Sequence, residues 1–203
     1  MRVEAIQVND YNRIQVEPVT GSIGAEIPGI DLRELDDEII AELRDAWMNH
    51  KVLFFRDQDL NHQQHVDYGR AFGELEIHPF LPSPDGHPEI VVLESTPEKF
   101  EAAEYWHSDV TWRPEPSLGS ILYGRSIPLY GGDTSWANME LAYGLLSDDV
   151  KKLLMNASAV HSYIKPFGPM LSPEDREQKR IENPDQIHPV VRPTPKQVSS
   201  RST

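Results

Sequence analysis

The stretch EYWHSDVTW, residues 104–112, places a histidine and an aspartate two positions apart among aromatic and β-branched residues. Such neighbours are typical of a β-strand, where side chains two positions apart point to the same face. That spacing allows His107 and Asp109 to reach one metal ion. A second His-x-Asp, His65 and Asp67, lies in a helical pattern, where such side chains point about 200° apart. We interpret the second pair as solvated.

The residue types in the first pair indicate which metal they suit. Imidazole and carboxylate bind borderline divalent metals, and two histidines with one carboxylate on one face define the non-haem iron(II) site of oxygenases. If this pair binds a metal, His107 and Asp109 would supply one imidazole and one carboxylate of such a site. Spacing alone leaves the alternative open: a hydrogen-bonded surface histidine beside a solvated aspartate.

Composition excludes several classes of protein. The chain has 203 residues, no cysteine and a net charge of −14. Disulfides and thiolate metal sites are therefore excluded, and nucleic acids or anionic membranes are disfavoured as partners because both attract clustered Lys and Arg. No apolar run approaches the roughly 18 residues of a membrane span, and the N-terminus lacks a signal-peptide pattern. We expect a soluble, cytoplasmic protein with one main domain.

The pattern along the chain predicts an α+β fold around a β-sandwich or barrel. Helices are expected over 36–51 and 61–74, and a helix pair over 138–156, split at Ser147. Short strands joined by turns are expected over 13–32. Further strands are expected over 51–58, 89–94, 118–127 and 131–138. The polar segment 171–186 is expected to form a solvated loop or lid.

Five blocks in a fixed order carry a resemblance to a known family. They are FGELEIHP (72–79), YWHSDVTW (105–112), IPLYGGDTSWAN (127–138), LSDDVKKLL (146–154) and IHPVVR (187–192). With these blocks, the chain resembles the taurine dioxygenase and 2,4-dichlorophenoxyacetate dioxygenase family of Fe(II)/2-oxoglutarate-dependent oxygenases from about residue 15 to Arg192. The resemblance implies a double-stranded β-helix (jelly-roll) core with helical insertions.

The resemblance also implies roles for particular residues. His107 and Asp109 match two of the three iron ligands, and Thr134 matches a threonine that hydrogen-bonds the 2-oxoglutarate carboxylate. His78 and Phe167 match residues of the substrate pocket. Without the resemblance, Thr134 follows an ordinary Gly-Gly-Asp turn, His78 is a loop histidine and Phe167 is a packing residue.

The chemistry implied is oxidative. Fe(II) and 2-oxoglutarate, the latter as co-substrate, together with O₂ would hydroxylate a small anionic organic substrate: a sulfonate, a sulfate ester or a carboxylate. Decarboxylation of 2-oxoglutarate would yield succinate and CO₂. Two positions depart from the taurine pattern, since Ala103 replaces a substrate-contacting asparagine and Leu81 stands near a pocket tyrosine. Members of the family often form dimers or tetramers, so a homo-oligomer is expected.

The third iron ligand is missing from the matching blocks. In the family, the distal histidine and the arginine that binds 2-oxoglutarate lie well beyond HPVVR. Here eleven residues follow Arg192 and contain no histidine. His161 and His188 match positions that are not ligands. Residues 1–192 are therefore expected to be a partial dioxygenase domain that lacks the last strands.

Residues 193–203, PTPKQVSSRST, are expected to be an out-of-frame or diverged tail. One allowed set of codons, read in another frame, gives Thr-His-Pro-Glu-Thr-Gly, which resembles the family's continuation. We therefore hypothesise a one-base deletion near the Arg192 codon and expect impaired catalysis, which measurable succinate formation would contradict. Two alternatives remain: a catalytically dead remnant or binding module of the same fold, and a cupin-like metalloprotein using His107, Asp109 and His161.

Overall fold

A computed structural model describes residues 9–79, 81–96 and 105–193 of the chain. The chain divides into two compact units, Met1–Glu101 with Gly124–Gly144, and Ala102–Tyr123 with Leu145–Thr203. The described residues contain both helices and strands, as predicted. None of their helices is both long and apolar enough to cross a membrane.

The first unit contains a small sheet of three strands. β1 (Glu17–Pro18) pairs antiparallel with β2 (Ala25–Glu26), which pairs parallel with β3 (Leu53–Phe54). The predicted short strands and turns before residue 32 are confirmed. Of the strand predicted over 51–58, only the two residues of β3 form a strand.

Two helices of the first unit begin where polar side chains cap them. α1 (Asp37–His50) starts after Asp36, whose carboxylate accepts the Ile39 N–H, and α2 (His62–Arg70) starts after Asn61, which forms a capping box with Gln64. Such caps satisfy backbone donors that a helix start leaves unpaired. The inward face of α1 includes Leu43 and Ala46, both fully buried. Both predicted helices are confirmed, with His65 and Asp67 on α2.

The predicted helix pair is also confirmed. It consists of α3 (Met139–Gly144), in the first unit, and α4 (Asp148–Met155), in the second. Ser147 caps α4 by accepting the Val150 N–H. The break therefore follows from a local capping preference that the sequence displays directly.

The second unit contains a two-stranded antiparallel sheet, β4 (Ser158–His161) with β5 (Gln186–Pro189). α5 (Ile164–Phe167), a 3₁₀ turn (Gly168–Met170) and α6 (Pro173–Glu182) lie between these strands in the chain. One face of the sheet exposes the opposed pair Val160 and Ile187, whereas the other carries the half-buried pair Ala159 and His188. The second face is the one turned toward the rest of the unit.

The segment 171–186 is largely exposed, as predicted, but the prediction of a loop there is wrong, because the larger part of the segment is α6 (Pro173–Glu182). Ser172 caps this helix, Pro173 occupies its first turn, and Glu174 and Asp175 lie at its positive end. Capping, N-terminal proline and acidic residues at the first turn all favour a helix even where apolar periodicity is weak.

The strands predicted over 89–94, 118–127 and 131–138 are also wrong, since these segments have no regular structure. Their β-branched and apolar residues favour a β-strand locally. A strand also needs a neighbouring strand to pair with and a packed layer for its side chains to cover. Leu93 is 64% exposed and Leu122 is 71% exposed. Neither side chain covers a packed layer in the described residues.

Candidate metal centre

The two residues of the predicted metal pair meet in the structure. Nε2 of His107 lies 3.3 Å from Oδ1 of Asp109. The His107 side chain is 43% exposed and the Asp109 side chain 60% exposed, so both are accessible to an ion from solvent. Because both side chains are largely exposed, this contact would stabilise the fold very little. The contact therefore bears on metal binding rather than on the stability of the fold.

The other polar atom of each ligand is held by a neighbour. Nδ1 of His107 lies 2.9 Å from the carbonyl oxygen of Tyr105. A carbonyl only accepts, so Nδ1 carries the hydrogen and the neutral ring presents the lone pair of Nε2. Ser120 donates its hydroxyl hydrogen to Oδ2 of Asp109 over 3.0 Å. Both ring orientation and carboxylate orientation are thus set by second partners, as in protein metal sites.

The backbone that carries the pair is not the predicted strand. Residues 106–108 have no regular structure, and a turn begins at Asp109, closed by the Arg113 N–H donating to the Val110 carbonyl over 2.9 Å. Val110 has a φ of 46°, in the left-handed region that a β-branched residue rarely adopts. The pair therefore meets because of this turn, not because of the two-residue period of a strand.

The donor set fits a divalent metal at two positions. Two ligand atoms each about 2.1 Å from one ion and at right angles would lie about 3 Å apart, close to the spacing of Nε2 and Oδ1. The tautomer of His107 supplies the required lone pair, and Asp109 retains Oδ1 beyond its bond from Ser120. This geometry is compatible with His107 and Asp109 as metal ligands, and the assignment stays a prediction.

A third ligand does not join them in the part of the chain that the structure describes. Within those residues, no three His, Cys, Asp or Glu side chains gather in a way that could hold a metal. The His161 ring instead packs edge-on against the His188 ring, with centroids 5.1 Å apart. The cupin-like alternative, which needs His161 beside His107 and Asp109, gains no support from this arrangement.

Two sets of contacts tie the turn after Asp109 to the rest of the second unit. His188 places Nε2 at 3.0 Å from the Thr111 carbonyl oxygen and 3.1 Å from that of Arg113. Trp112 is buried against Tyr163, with ring centroids 5.1 Å apart. Burial raises the pKa of the Tyr163 phenol, which keeps the ring neutral in this contact.

Phe167 joins the same aromatic cluster. Its ring lies 5.1 Å from that of Tyr163 at a tilt of 35°. The predicted pocket residue therefore connects, through Tyr163 and Trp112, to the segment that carries the candidate ligands. Phe167 is half-buried at the end of α5.

Thr134 and His78 belong to the first unit. Thr134 is exposed in a segment without regular structure, after Gly131 and Gly132, which both have positive φ. Nδ1 of His78 accepts the Leu81 N–H at 3.3 Å, so its neutral ring carries the hydrogen on Nε2. Predictions for Ala103 and for residues 194–203 fall outside the described residues.

Sequence reasoning missed three parts of this centre: the hydroxyl of Ser120, the carbonyl of Tyr105 and the imidazole of His188. Tyr105 was detectable in principle, since a histidine ring can reach the carbonyl two residues before it. Ser120 lies 11 residues after Asp109 and His188 lies 77 residues after Thr111. No local pattern marks contacts at those separations.

Comparison with known proteins shows which family the chain belongs to. Residues 15–202 match the model of the family described as Taurine catabolism dioxygenase TauD, TfdA family. The chain belongs to this family, as its motifs predicted. Members of the family use Fe(II) and 2-oxoglutarate.

Two curated relatives and one solved structure show how similar the chain is to individual members. It is 38% identical over 192 residues to an alkylsulfatase of Acinetobacter baylyi, covering 90% of this chain and 60% of the relative. It is 35% identical over 191 residues to an alpha-ketoglutarate-dependent sulfate ester dioxygenase of Pseudomonas putida, covering 90% and 63%. A crystal structure of a taurine dioxygenase from Burkholderia xenovorans aligns with a TM-score of 0.73 and 36% identity, covering 91% and 60%. The chain thus spans about three fifths of the length of these relatives.

Proposed function

We propose that the chain carries the metal-binding part of an Fe(II)/2-oxoglutarate-dependent dioxygenase that hydroxylates a small organic anion. The observation that carries this proposal is the 3.3 Å approach of His107 Nε2 to Asp109 Oδ1, with Nδ1 and Oδ2 already engaged by Tyr105 and Ser120. Such pre-oriented imidazole and carboxylate ligands are what a non-haem iron site requires.

The residues act by binding and orienting. His107 Nε2 and Asp109 Oδ1 would hold the iron, and the hydroxyl of Thr134 would hydrogen-bond a carboxylate of 2-oxoglutarate. With iron bound, the family's chemistry couples decarboxylation of 2-oxoglutarate by O₂, to succinate and CO₂, with hydroxylation of a substrate C–H bond. The protein's contribution is position, charge and exclusion of water around that reaction.

We further propose that the substrate is an alkyl sulfate ester. Hydroxylation of the carbon that bears the sulfate gives a product that breaks down to an aldehyde and free sulfate. The Nε2–H of His78 is the kind of donor that a sulfate oxygen accepts, and Phe167 is the kind of apolar surface that an alkyl chain packs against. Ala103, in place of the asparagine of the taurine pattern, and Leu81, near the position of its pocket tyrosine, suit an alkyl chain better than they suit taurine.

The finer predictions about the whole protein remain proposals. A jelly-roll core is supported by the structural similarity to a taurine dioxygenase, and homo-oligomers by the large apolar side chains exposed in both units. A cytoplasmic location rests on the sequence alone. An out-of-frame origin for residues 193–203 likewise remains a hypothesis from the sequence.

The test supplies the purified chain with Fe(II), 2-oxoglutarate, O₂ and a medium-chain alkyl sulfate, and measures succinate and free sulfate. The proposed function predicts that whatever succinate and sulfate this partial domain forms appear in equal amounts, and that Asp109→Ala reduces both to the background level. Asp67→Ala is the matched control, because Asp67 belongs to the helical His-x-Asp and should leave product formation unchanged. Taurine in place of the alkyl sulfate should yield less succinate.

A second candidate is a binding module that holds a metal or 2-oxoglutarate without turnover. The observation that favours it is the absence of a third ligand beside His107 and Asp109 in the described residues. Metal binding that depends on Asp109, combined with no succinate, would support this module. Succinate formation that depends on Asp109 would support the dioxygenase and contradict the impaired catalysis expected from the sequence.

A further inference from the structure

His188 makes an unusual pair of long-range contacts. Its Nε2 atom lies 3.0 Å from the Thr111 carbonyl oxygen and 3.1 Å from the Arg113 carbonyl oxygen. Because both partners only accept, Nε2 must carry a hydrogen and share it between them. A single imidazole on β5 therefore bridges two carbonyls that lie 77 and 75 residues earlier in the chain.

The two carbonyls belong to the turn that starts at Asp109. This turn holds Val110 at a φ of 46° and is closed by one backbone hydrogen bond, from the Arg113 N–H to the Val110 carbonyl. A β-branched residue in that conformation costs free energy, and it persists only where surrounding contacts impose it. The bridge from His188 is such a contact.

His188 is itself well placed to act as a fixed support. It lies on β5, which pairs along its length with β4, and it sits on the half-buried face of that sheet. The ring of His161, its diagonal neighbour on β4, packs edge-on against it with centroids 5.1 Å apart. The imidazole is thus held by a sheet and by a second ring before it meets the turn.

We propose that His188 is a positioning residue for the candidate metal centre: it holds the turn of residues 109–113 on the β4–β5 sheet and so fixes the direction of the Asp109 carboxylate. The expected effect on metal affinity rests on the proposed function. The restraint of the turn by His188 does not depend on that function.

The test compares two substitutions of similar size at His188. His188→Leu removes the N–H group that the two carbonyl oxygens accept. His188→Gln keeps an amide Nε2 that can donate to them from about the same distance along the side chain. His87→Ala is the matched control, since His87 also packs edge-on against another histidine, His62, at 5.4 Å. His107→Ala measures background binding of metal by other groups.

Two measurements are made on the full chain: Co(II) affinity by calorimetry, and amide hydrogen exchange in residues 105–113. For His188→Leu we expect the His107-dependent Kd to rise about tenfold, as for other partners that orient metal ligands. We also expect the Arg113 amide to exchange faster. His188→Gln and His87→Ala should stay close to the parent in both.

The inference is overturned if His188→Leu leaves both Co(II) affinity and exchange unchanged, or if His188→Gln fails as badly as His188→Leu. Should the leucine variant not fold, His188→Phe keeps a ring against His161 without a donor and takes its place. A parent chain whose Co(II) binding ignores His107 would contradict the proposed function instead. In that case the exchange of residues 105–113 still decides whether His188 restrains the turn.

Discussion

Nε2 of His107 faces Oδ1 of Asp109 across 3.3 Å, and each residue is anchored through its opposite polar atom. The ring cannot rotate without breaking its bond to the Tyr105 carbonyl, and the carboxylate cannot rotate without breaking its bond from Ser120. An ion entering this gap would meet two ligand atoms already oriented. Part of the entropy cost of assembling a site is then met by the fold itself.

Replacement of Ser120 by alanine should weaken metal binding without unfolding the protein. The variant loses the hydroxyl that holds Oδ2 of Asp109, so the carboxylate samples more orientations. We expect a Kd about three- to tenfold higher, at the low end for an orienting partner because Ser120 is exposed. Calorimetry with Co(II) measures this. Ser120→Thr should recover the parent affinity, and Ser117→Ala, an exposed serine in the same segment, should not change it.

Gly24→Ala should destabilise the first unit. Gly24 has a φ of 87°, and an added Cβ would lie 3.3 Å from the Phe54 ring. The left-handed backbone alone costs a non-glycine residue about 1–2 kcal/mol, so we expect at least that loss in the free energy of unfolding. Urea unfolding of Gly24→Ala and of Gly21→Ala measures it. Gly21 has open space around its Cα and lacks the positive φ, so equal losses in both variants would contradict the argument.

Ser172→Ala should shorten or fray α6. Ser172 accepts the Asp175 N–H at 3.1 Å and donates to Oδ2 of Asp175 at 2.7 Å. Loss of an N-cap costs about 1 kcal/mol. Amide exchange at Asp175 and Arg176 should therefore accelerate in Ser172→Ala, whereas Ser172→Asp should retain slow exchange. Identical exchange in all three proteins would show that the cap does not hold this helix.

Stability should fall as the pH drops below neutrality, and His50 should contribute to the fall. Its side chain is fully buried, and neither ring nitrogen has a hydrogen-bond partner in the described residues. Burial, reinforced by the positive charge of Lys51, lowers the pKa of His50 against an opposing effect of Asp45. At a pH between this lowered pKa and the ordinary value of about 6.5, His50 is protonated in the unfolded chain but not in the folded one. Proton binding therefore stabilises the unfolded state in that pH range.

The measurement compares urea unfolding of the parent and His50→Leu between pH 7.5 and 5. In the parent, His50 should add a slope of at most about 1.4 kcal/mol per pH unit below pH 6.5. The leucine variant should lack that part of the slope, whatever its absolute stability. Parallel curves for the two proteins would mean that His50 does not titrate differently on folding.

The features that could be predicted from the sequence are local ones. α1 and α2 follow from capping side chains and apolar spacing within one segment. The approach of His107 to Asp109 was also predicted, although the reason given, a strand, was wrong. A turn with left-handed Val110 brings the pair together instead.

Most of the features that the sequence analysis missed depend on distant partners, whereas α6 depends on local signals. The apolar segment 118–127 satisfies a strand preference, yet no strand forms there, because β-structure requires a neighbouring strand as well as suitable residues. α6 was missed for a different reason: its apolar periodicity is weak, and the signals that favour it are the Ser172 cap and the acidic residues of its first turn. The support of the turn by His188 joins residues more than seventy positions apart.

The central claim is that His107 and Asp109 form one metal site, and an anaerobic Fe(II) titration of the chain tests it most directly. The variants are His107→Ala and Asp109→Ala, with His65→Ala and Asp67→Ala as controls from the helical His-x-Asp. We predict that each of the first two raises the Kd by at least about tenfold, since each removes a ligand, and that the controls bind as the parent does. Fe(II) binding that survives both His107→Ala and Asp109→Ala, or that is lost equally in the controls, would contradict the account.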